Sequence, residues 1–286
     1  EDFRGYRYRK TPGLMKGNND MLNITRPDVV SDIHRKYLEA GADIITTNTF
    51  SSQRISQADY HLEEAAREMA LAGARLARKA ADEFATDERP RFVAGSVGPT
   101  NKTCSMSPDV SNPAAREIDY LTLYDVYLEQ IEALVEGGVD IILIETVFDT
   151  LNAKAAIDAT MEAERRSGKR LPIMLSITVS DLAGRTLSGQ TLEAVLASVS
   201  SYPLFSIGLN CSFGAPQPKP FLKESSRKAP YHLRAYPNAG LPNSMGEYDE
   251  TAESMAPQMQ EYVDEGLVNI IGGCCGTTEK FIAEYA

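Results

Sequence analysis

The chain has no tryptophan, three histidines and four cysteines among its 286 residues. Without tryptophan, an aromatic cage for an onium group would have to be built from tyrosine and phenylalanine. There is no HExxH motif, and none of His34, His61 and His232 stands beside a cysteine, so a histidine-rich metal site is not written here. His34 reads as a surface residue of a helix. Basic residues are also short: 29 Lys and Arg face 40 Asp and Glu, a net charge of −11, which argues against nucleic acid as a partner.

No apolar run approaches the roughly 18 to 20 residues of a bilayer crossing, so no membrane span is expected. The longest, such as Ile141-Ile142-Leu143-Ile144, suit buried strands. The opening residues Glu1 to Lys10 lack an apolar core and mix acids with bases, unlike a signal peptide, and the expected compartment is cytoplasmic. Four cysteines, two of them adjacent, do not resemble a secreted disulfide framework; in a reducing compartment such thiols more often serve metal or catalysis. Hydrophobic residues at 43% and charged residues at 24% are ordinary globular values and predict a folded core.

Helical spacing begins after Thr25, read as a cap, with Val30, Ile33, Tyr37 and Leu38 ahead of Gly41. A short β-branched strand, Ala42 to Thr47, follows at once. The same join of helix end, glycine and apolar strand returns at Glu136-Gly137-Gly138-Val139-Asp140-Ile141-Ile142 and, more loosely, at Glu265 to Ile271. Further strands are predicted at Phe92–Ser96, Pro172–Thr178, Phe205–Asn210 and Tyr231–Tyr236, with helices near 57–84, 115–137, 150–166, 189–200 and 251–265. Seven strands alternating with helices imply an α/β fold with an all-parallel sheet, a (β/α)8 TIM barrel whose first strand is missing from this sequence and expected before Glu1. Residues 1–286 read as one domain. The longest irregular stretch, 95–113, is of a length usually reserved for functional or mobile loops.

In such a barrel the chemistry lies at the carboxyl ends of the strands. Cys211 follows the strand ending at Asn210, and Cys274 and Cys275 follow Ile270-Ile271 across two glycines, so all three thiols are expected on one rim. Three sulfur ligands suit zinc and leave a tetrahedral ion one open position, the pattern of a catalytic site. A Cys274–Cys275 disulfide would need a strained ring and would leave Cys211 unexplained. Cys104, alone in its loop, reads as a small buried hydrophobe. An electron-rich trithiolate site acidifies water poorly but suits a substrate thiol, which points to alkyl transfer onto sulfur.

Glu145, an acid after an apolar strand on the same rim, could hold a substrate ammonium or could pair with a neighbouring Arg or backbone donor. Asp149 and Thr150 read as N-cap residues, and Tyr120, Tyr124 and Tyr127 as packing.

Gly208-Leu209-Asn210-Cys211 together with Gly272-Gly273-Cys274-Cys275-Gly276-Thr277-Thr278 resembles the homocysteine-binding module of zinc-dependent homocysteine methyltransferases. Lys16-Gly17-Asn18-Asn19-Asp20, Gly98-Pro99-Thr100-Asn101, Gly184 to Gln190 and Pro237-Asn238-Ala239-Gly240-Leu241-Pro242 are similar to the N-terminal module of the cobalamin-dependent methionine synthases. The resemblance implies a barrel that presents L-homocysteine on Zn2+ for methylation by methylcobalamin, forming methionine. It implies Cys211, Cys274 and Cys275 as metal ligands and catalytic residues, and Glu145 as the acid that holds the amino group. Asn238 would lend the metal an oxygen until substrate sulfur displaces it; read from its own residues, it is equally a turn residue before Ala239-Gly240.

The implied methylcobalamin is bound by another domain, and the cobalamin and folate domains of a larger multidomain enzyme are the expected partners. The family's opening strand and Asp-Gly-x-Met-Gly-Thr loop, which help seat the substrate carboxylate, are not in this sequence, and Thr46 stands where relatives usually have Glu. The alternatives are a stand-alone homocysteine methyltransferase using betaine or S-methylmethionine, and a barrel with a structural zinc only.

Overall fold

The structure, a computed structural model, describes residues 3–286, which fall into two compact units. The first comprises the chain up to Glu39, Asp43–Ile144 and Leu151–Pro172; the second comprises Ala40–Ala42, Glu145–Thr150 and Ile173–Ala286.

The first unit opens with α1 (Leu22–Thr25) and α2 (Pro27–Glu39). The segment before them packs: Tyr8, Met15 and Met21 are buried with Leu62, Ala65 and Met69 in one small core. Thr25 belongs to α1, and its hydroxyl donates to the carbonyls of Phe3 and Met21, so it does not cap α2. The buried stripe of α2 is Val30, His34 and Leu38, while Ile33 is exposed. A spacing of four puts those three residues on one line of the helix, so His34 lies inside and not at the surface.

After β1 (Ile44–Thr46), the expected single helix near 57–84 is two: α3 (Arg54–Ala58) and α4 (Ala66–Phe84), parted by a turn in which His61 has φ 56°. The buried face of α4 is largely alanine, at 66, 70, 74, 77, 80 and 81, which lets neighbouring backbone come close. Next come β2 (Phe92–Val97) and α5 (Tyr120–Glu136), the latter capped by the Asp119 carboxylate accepting from the Thr122 N–H. β3 (Ile141–Val147) and α6 (Thr150–Ser167) complete this part of the chain. β1 pairs with β2 and β2 with β3, both parallel.

The second unit holds the last residues of β3, from Glu145, and then β4 (Ile173–Ile177), α7 (Leu192–Val199), β5 (Leu204–Asn210), α8 (Lys219–Lys228), β6 (His232–Tyr236), α9 (Ala252–Asp264), β7 (Ile270–Ile271) and α10 (Glu279–Tyr285). β4 through β7 pair in succession, all parallel. Where β5 meets β6, Gly208 lies opposite Arg234, and a Cβ on Gly208 would stand 2.1 Å from the Arg234 carbonyl oxygen. Only glycine permits that approach.

The seven strands follow one another in the sheet in chain order, β1 to β7. Successive parallel strands joined through helices form the α/β arrangement of a TIM barrel with one strand fewer, as the sequence predicts. No strand precedes β1 among the described residues. Among the described residues, no helix is long and apolar enough to cross a membrane.

Candidate metal centre

The carboxyl ends of the parallel strands in the second unit bring Cys211, Cys274 and Cys275 together. Their Sγ atoms all lie within 4.8 Å of one another, a group that could hold a metal ion. Cys211 Sγ is 2.7 Å from Cys274 Sγ and 3.7 Å from Cys275 Sγ, and Cys274 and Cys275 are 4.0 Å apart. Zinc–sulfur bonds of about 2.3 Å in tetrahedral directions space sulfurs by about 3.8 Å, which two of these edges match. The third is shorter than that spacing and well beyond a disulfide bond, and no disulfide links the pair Cys274–Cys275. Cys104, expected to stand apart, is buried in the first unit, where its N–H donates to Asn152 Oδ1 at 2.9 Å.

One short segment after β6 aligns both cysteine loops through its backbone. The Cys211 N–H donates to the Tyr236 carbonyl at 3.2 Å, and the Asn238 N–H donates to Phe213 at 2.9 Å. On the other side, the Cys274 N–H donates to Pro237 and the Ala239 N–H to Cys275, both at 2.9 Å. The Asn238 side chain adds a further tie, its Oδ1 accepting the Cys275 N–H at 3.1 Å. Residues 63 apart are thereby held in one register by residues 236–239.

The turns that aim the thiols use uncommon backbone. Cys211 and Ser212 have φ of 60° and 66°, and Thr146, next to Glu145, has 58°. Each such left-handed non-glycine residue costs about 1 kcal/mol or more and persists where the surroundings over-determine it. Gly276 has φ 80°, and a Cβ there would stand 2.4 Å from Tyr248 Cγ, so the turn after Cys275 needs glycine on both counts.

The three thiols are not electrostatically equivalent. Hydrogen bonds from Cys211 and Cys274, then from Tyr248, outweigh burial and hold Cys275 far below the ordinary thiol range. Hydrogen bonding to Cys211, then to Cys275, together with burial pushes Cys274 well up. At Cys211 the Cys274 hydrogen bond lowers, but Cys275 and burial outweigh it and raise the thiol to about 11. Cys275 is also the most exposed of the three.

β3 runs on through Glu145 to Val147, so Glu145 lies within the strand and not just beyond it. It is half-buried, and its carboxylate acts on Arg234 and Tyr236 of β6. Asn238 is buried in the turn that joins the cysteine loops. Thr150 is the first residue of α6, and its hydroxyl donates to Gln190, so the hydroxyl is not the helix cap. Tyr127 is core and donates to the Gly98 carbonyl at 3.2 Å, as packing predicts, while Tyr120 donates to Asp158.

Three residues that the sequence analysis did not single out stand at this centre. Asn210, buried, accepts the Thr146 N–H at 3.1 Å and donates to Thr146 Oγ1 at 3.0 Å and to Cys274 Sγ at 3.9 Å. Its position directly before Cys211 was the available signal. Tyr248 reaches back over Gly276 from a hairpin closed by the Pro242–Tyr248 bridge. Arg234 is wholly buried, its three guanidinium nitrogens have no hydrogen-bond partner, and its Cζ lies 4.7 Å from the Tyr236 ring centroid.

The family model for homocysteine S-methyltransferases matches residues 3–286. The chain belongs to the homocysteine S-methyltransferase family. Among solved structures, the fold is shared with the homocysteine methyltransferase MmuM of Escherichia coli. Its oxidized form is 23% identical with a TM-score of 0.75 over 96% of this chain and 89% of that one. Its metallated form is 24% identical with a TM-score of 0.72, over 92% and 85%. A more distant fold likeness, 12% identical with a TM-score of 0.56, is to the 6-hydroxypseudooxynicotine amine oxidase of Pseudomonas geniculata N1, over 90% of this chain and 43% of that one. As a member of the homocysteine S-methyltransferase family, the chain is a methyltransferase, and homocysteine is the substrate consistent with that family.

Proposed function

We propose that the chain holds Zn2+ on Cys211, Cys274 and Cys275 and presents L-homocysteine to methylcobalamin, giving methionine. The observation that carries this reading is the convergence of three sulfurs from two separate loops within 4.8 Å. An all-sulfur donor set suits zinc, and three ligands leave room for a fourth sulfur. Zinc, when bound, supplies a Lewis acid that keeps an incoming thiol deprotonated at neutral pH.

The remaining work falls to the chain. Cys211, Cys274 and Cys275 hold the metal, and residues 236–239 keep their two loops in register. Glu145, in β3, takes the substrate ammonium, a charge-assisted contact that orients the amino acid with its thiol toward the cysteines. With zinc bound, Asn238 would be the residue to lend it a weak, replaceable oxygen. The methyl donor is carried by the cobalamin domain of the same enzyme, with a folate domain as its source of methyl groups.

A second reading, a stand-alone enzyme using S-methylmethionine or betaine, draws on the fold likeness to MmuM along most of both chains. Zinc-loaded protein is incubated with homocysteine and each donor in turn, and methionine is measured. Turnover with methylcobalamin is expected; turnover with betaine or S-methylmethionine and none with methylcobalamin selects the second reading. If added homocysteine leaves the X-ray absorption spectrum of the zinc unchanged, the metal is structural only and both readings fail.

A further inference from the structure

Arg234 is wholly buried in β6, yet its Nε, Nη1 and Nη2 all lack a hydrogen-bond partner. A guanidinium keeps its charge in proteins and can only donate, and a buried charge without hydrogen bonds is among the costliest arrangements a fold can hold. Glu145 acts on this cation but is not hydrogen-bonded to it. The Tyr236 ring, its centroid 4.7 Å from Cζ, covers one face of the guanidinium and leaves the N–H edge to be satisfied by something else.

Two further unsatisfied groups stand on the same side of the sheet. In register, Ser176 of β4 lies opposite Gly208 of β5, and Gly208 lies opposite Arg234. Residues paired in register share a face, and a Cβ built on Gly208 would stand 2.8 Å from the Arg234 Cβ, which puts both on one side. Ser206, two residues before Gly208 on β5, shares that face by alternation. Ser176 and Ser206 are both wholly buried, and neither hydroxyl has a partner. Because the residue between Ser176 and Arg234 is glycine, no side chain of β5 divides them at that level. The group lies deeper than the metal centre, two residues down β6 from Tyr236, whose carbonyl accepts the Cys211 N–H.

We infer that Arg234, Ser176 and Ser206 form an internal binding site for a small monovalent anion of the chloride class. Such an ion accepts from the guanidinium N–H groups and from both hydroxyls at once, and it brings the opposite charge. Water answers the same donors less well, since it carries no charge and its own two hydrogens then need acceptors in turn. The face is closed to solvent and Gly208 has no room even for a methyl group, which selects a single-atom ion over sulfate or phosphate. Neither metal nor substrate enters the site.

The test is the melting temperature of the protein as chloride replaces gluconate at constant ionic strength. A ligand that binds only the folded state raises it saturably, so the wild type is expected to respond to chloride and to bromide but not to sulfate. Ser176→Ala removes one hydrogen bond to a charged group and is expected to raise the half-saturating chloride concentration about tenfold. Arg234→Met is expected to abolish the response; should that variant not fold, the smaller Ser176→Ala change carries the test. Crystals grown in bromide are expected to show its anomalous signal in contact with the guanidinium and the Ser176 hydroxyl. A wild type with no saturable response overturns the inference, as does an ordered water in place of bromide beside Arg234. Equal half-saturation in wild type and Ser176→Ala also overturns it, because an ion held at the metal or on the surface would behave in that way.

Discussion

Asn238 Oδ1 accepts the backbone N–H of Cys275 at 3.1 Å, while its own N–H donates to Phe213, two residues beyond Cys211. One asparagine therefore ties the two cysteine loops to each other before any metal is considered. Asn238→Ala removes the side-chain half of that tie and leaves the Cys275 N–H unsatisfied. Zinc stoichiometry is expected to stay at one per chain while affinity falls about tenfold, measured by competition with a chromophoric chelator. Unchanged affinity would show that the backbone bonds alone order the site.

Removal of a sulfur is more severe. Cys211→Ala, Cys274→Ala and Cys275→Ala each leave a two-sulfur remnant, and each purified variant is expected to lose most of its zinc by elemental analysis. Cys104→Ala, in the other unit, is expected to keep it. Stoichiometric zinc in any of the first three, or loss in the fourth, contradicts the assignment.

The cysteine cluster was legible in the sequence because parallel strands convert chain order into position: any residue that directly follows a strand lies on the same edge. All seven strands were visible for a related reason, since buried parallel strands are short apolar runs bounded by polar residues or glycine. Helices were less legible. α8 (Lys219–Lys228) is mostly polar and buries only Leu222 and Ser225, so it carries no apolar period to detect. The break between α3 and α4 falls at His61 with neither glycine nor proline to announce it. His34 was misplaced because Ile33 and Tyr37 offered an equally good apolar line. Arg234 was invisible, since a charged residue at a core position breaks the very pattern by which strands are read.

Glu145 acts on two cations in the proposed reaction, the substrate ammonium and the buried guanidinium of Arg234. Glu145→Gln is expected to raise the Kd for homocysteine about tenfold to hundredfold by calorimetry on zinc-loaded protein, the range for losing a hydrogen bond to a charged group. It should also lower the melting temperature, because Arg234 has no hydrogen-bond partner and loses a countercharge. Glu145→Gln combined with Arg234→Met should recover stability without recovering binding. If the double variant binds as wild type does, the ammonium is held elsewhere.

Two buried groups of the first unit oppose each other in acid. Burial raises the Asp20 carboxyl to about 6, against the lowering effect of hydrogen bonds from the Ser52 hydroxyl and the Ser51 N–H. Burial lowers the His34 imidazole to about 4. For Asp20 the folded state binds the extra proton, so its contribution is present below about pH 4 and is lost as pH rises through 6. For His34 the unfolded state binds the extra proton, so its contribution is present above pH 6.5 and is lost as pH falls through 4. Each shift corresponds to about 3 kcal/mol, of opposite sign over nearly the same window, so the wild type should show little dependence on pH from these two groups. Asp20→Asn should expose the His34 slope, with stability rising from pH 4 to 6.5 in urea titrations. His34→Gln should expose the Asp20 slope and reverse the trend. Parallel pH profiles for the two variants would mean that neither group titrates from its buried position.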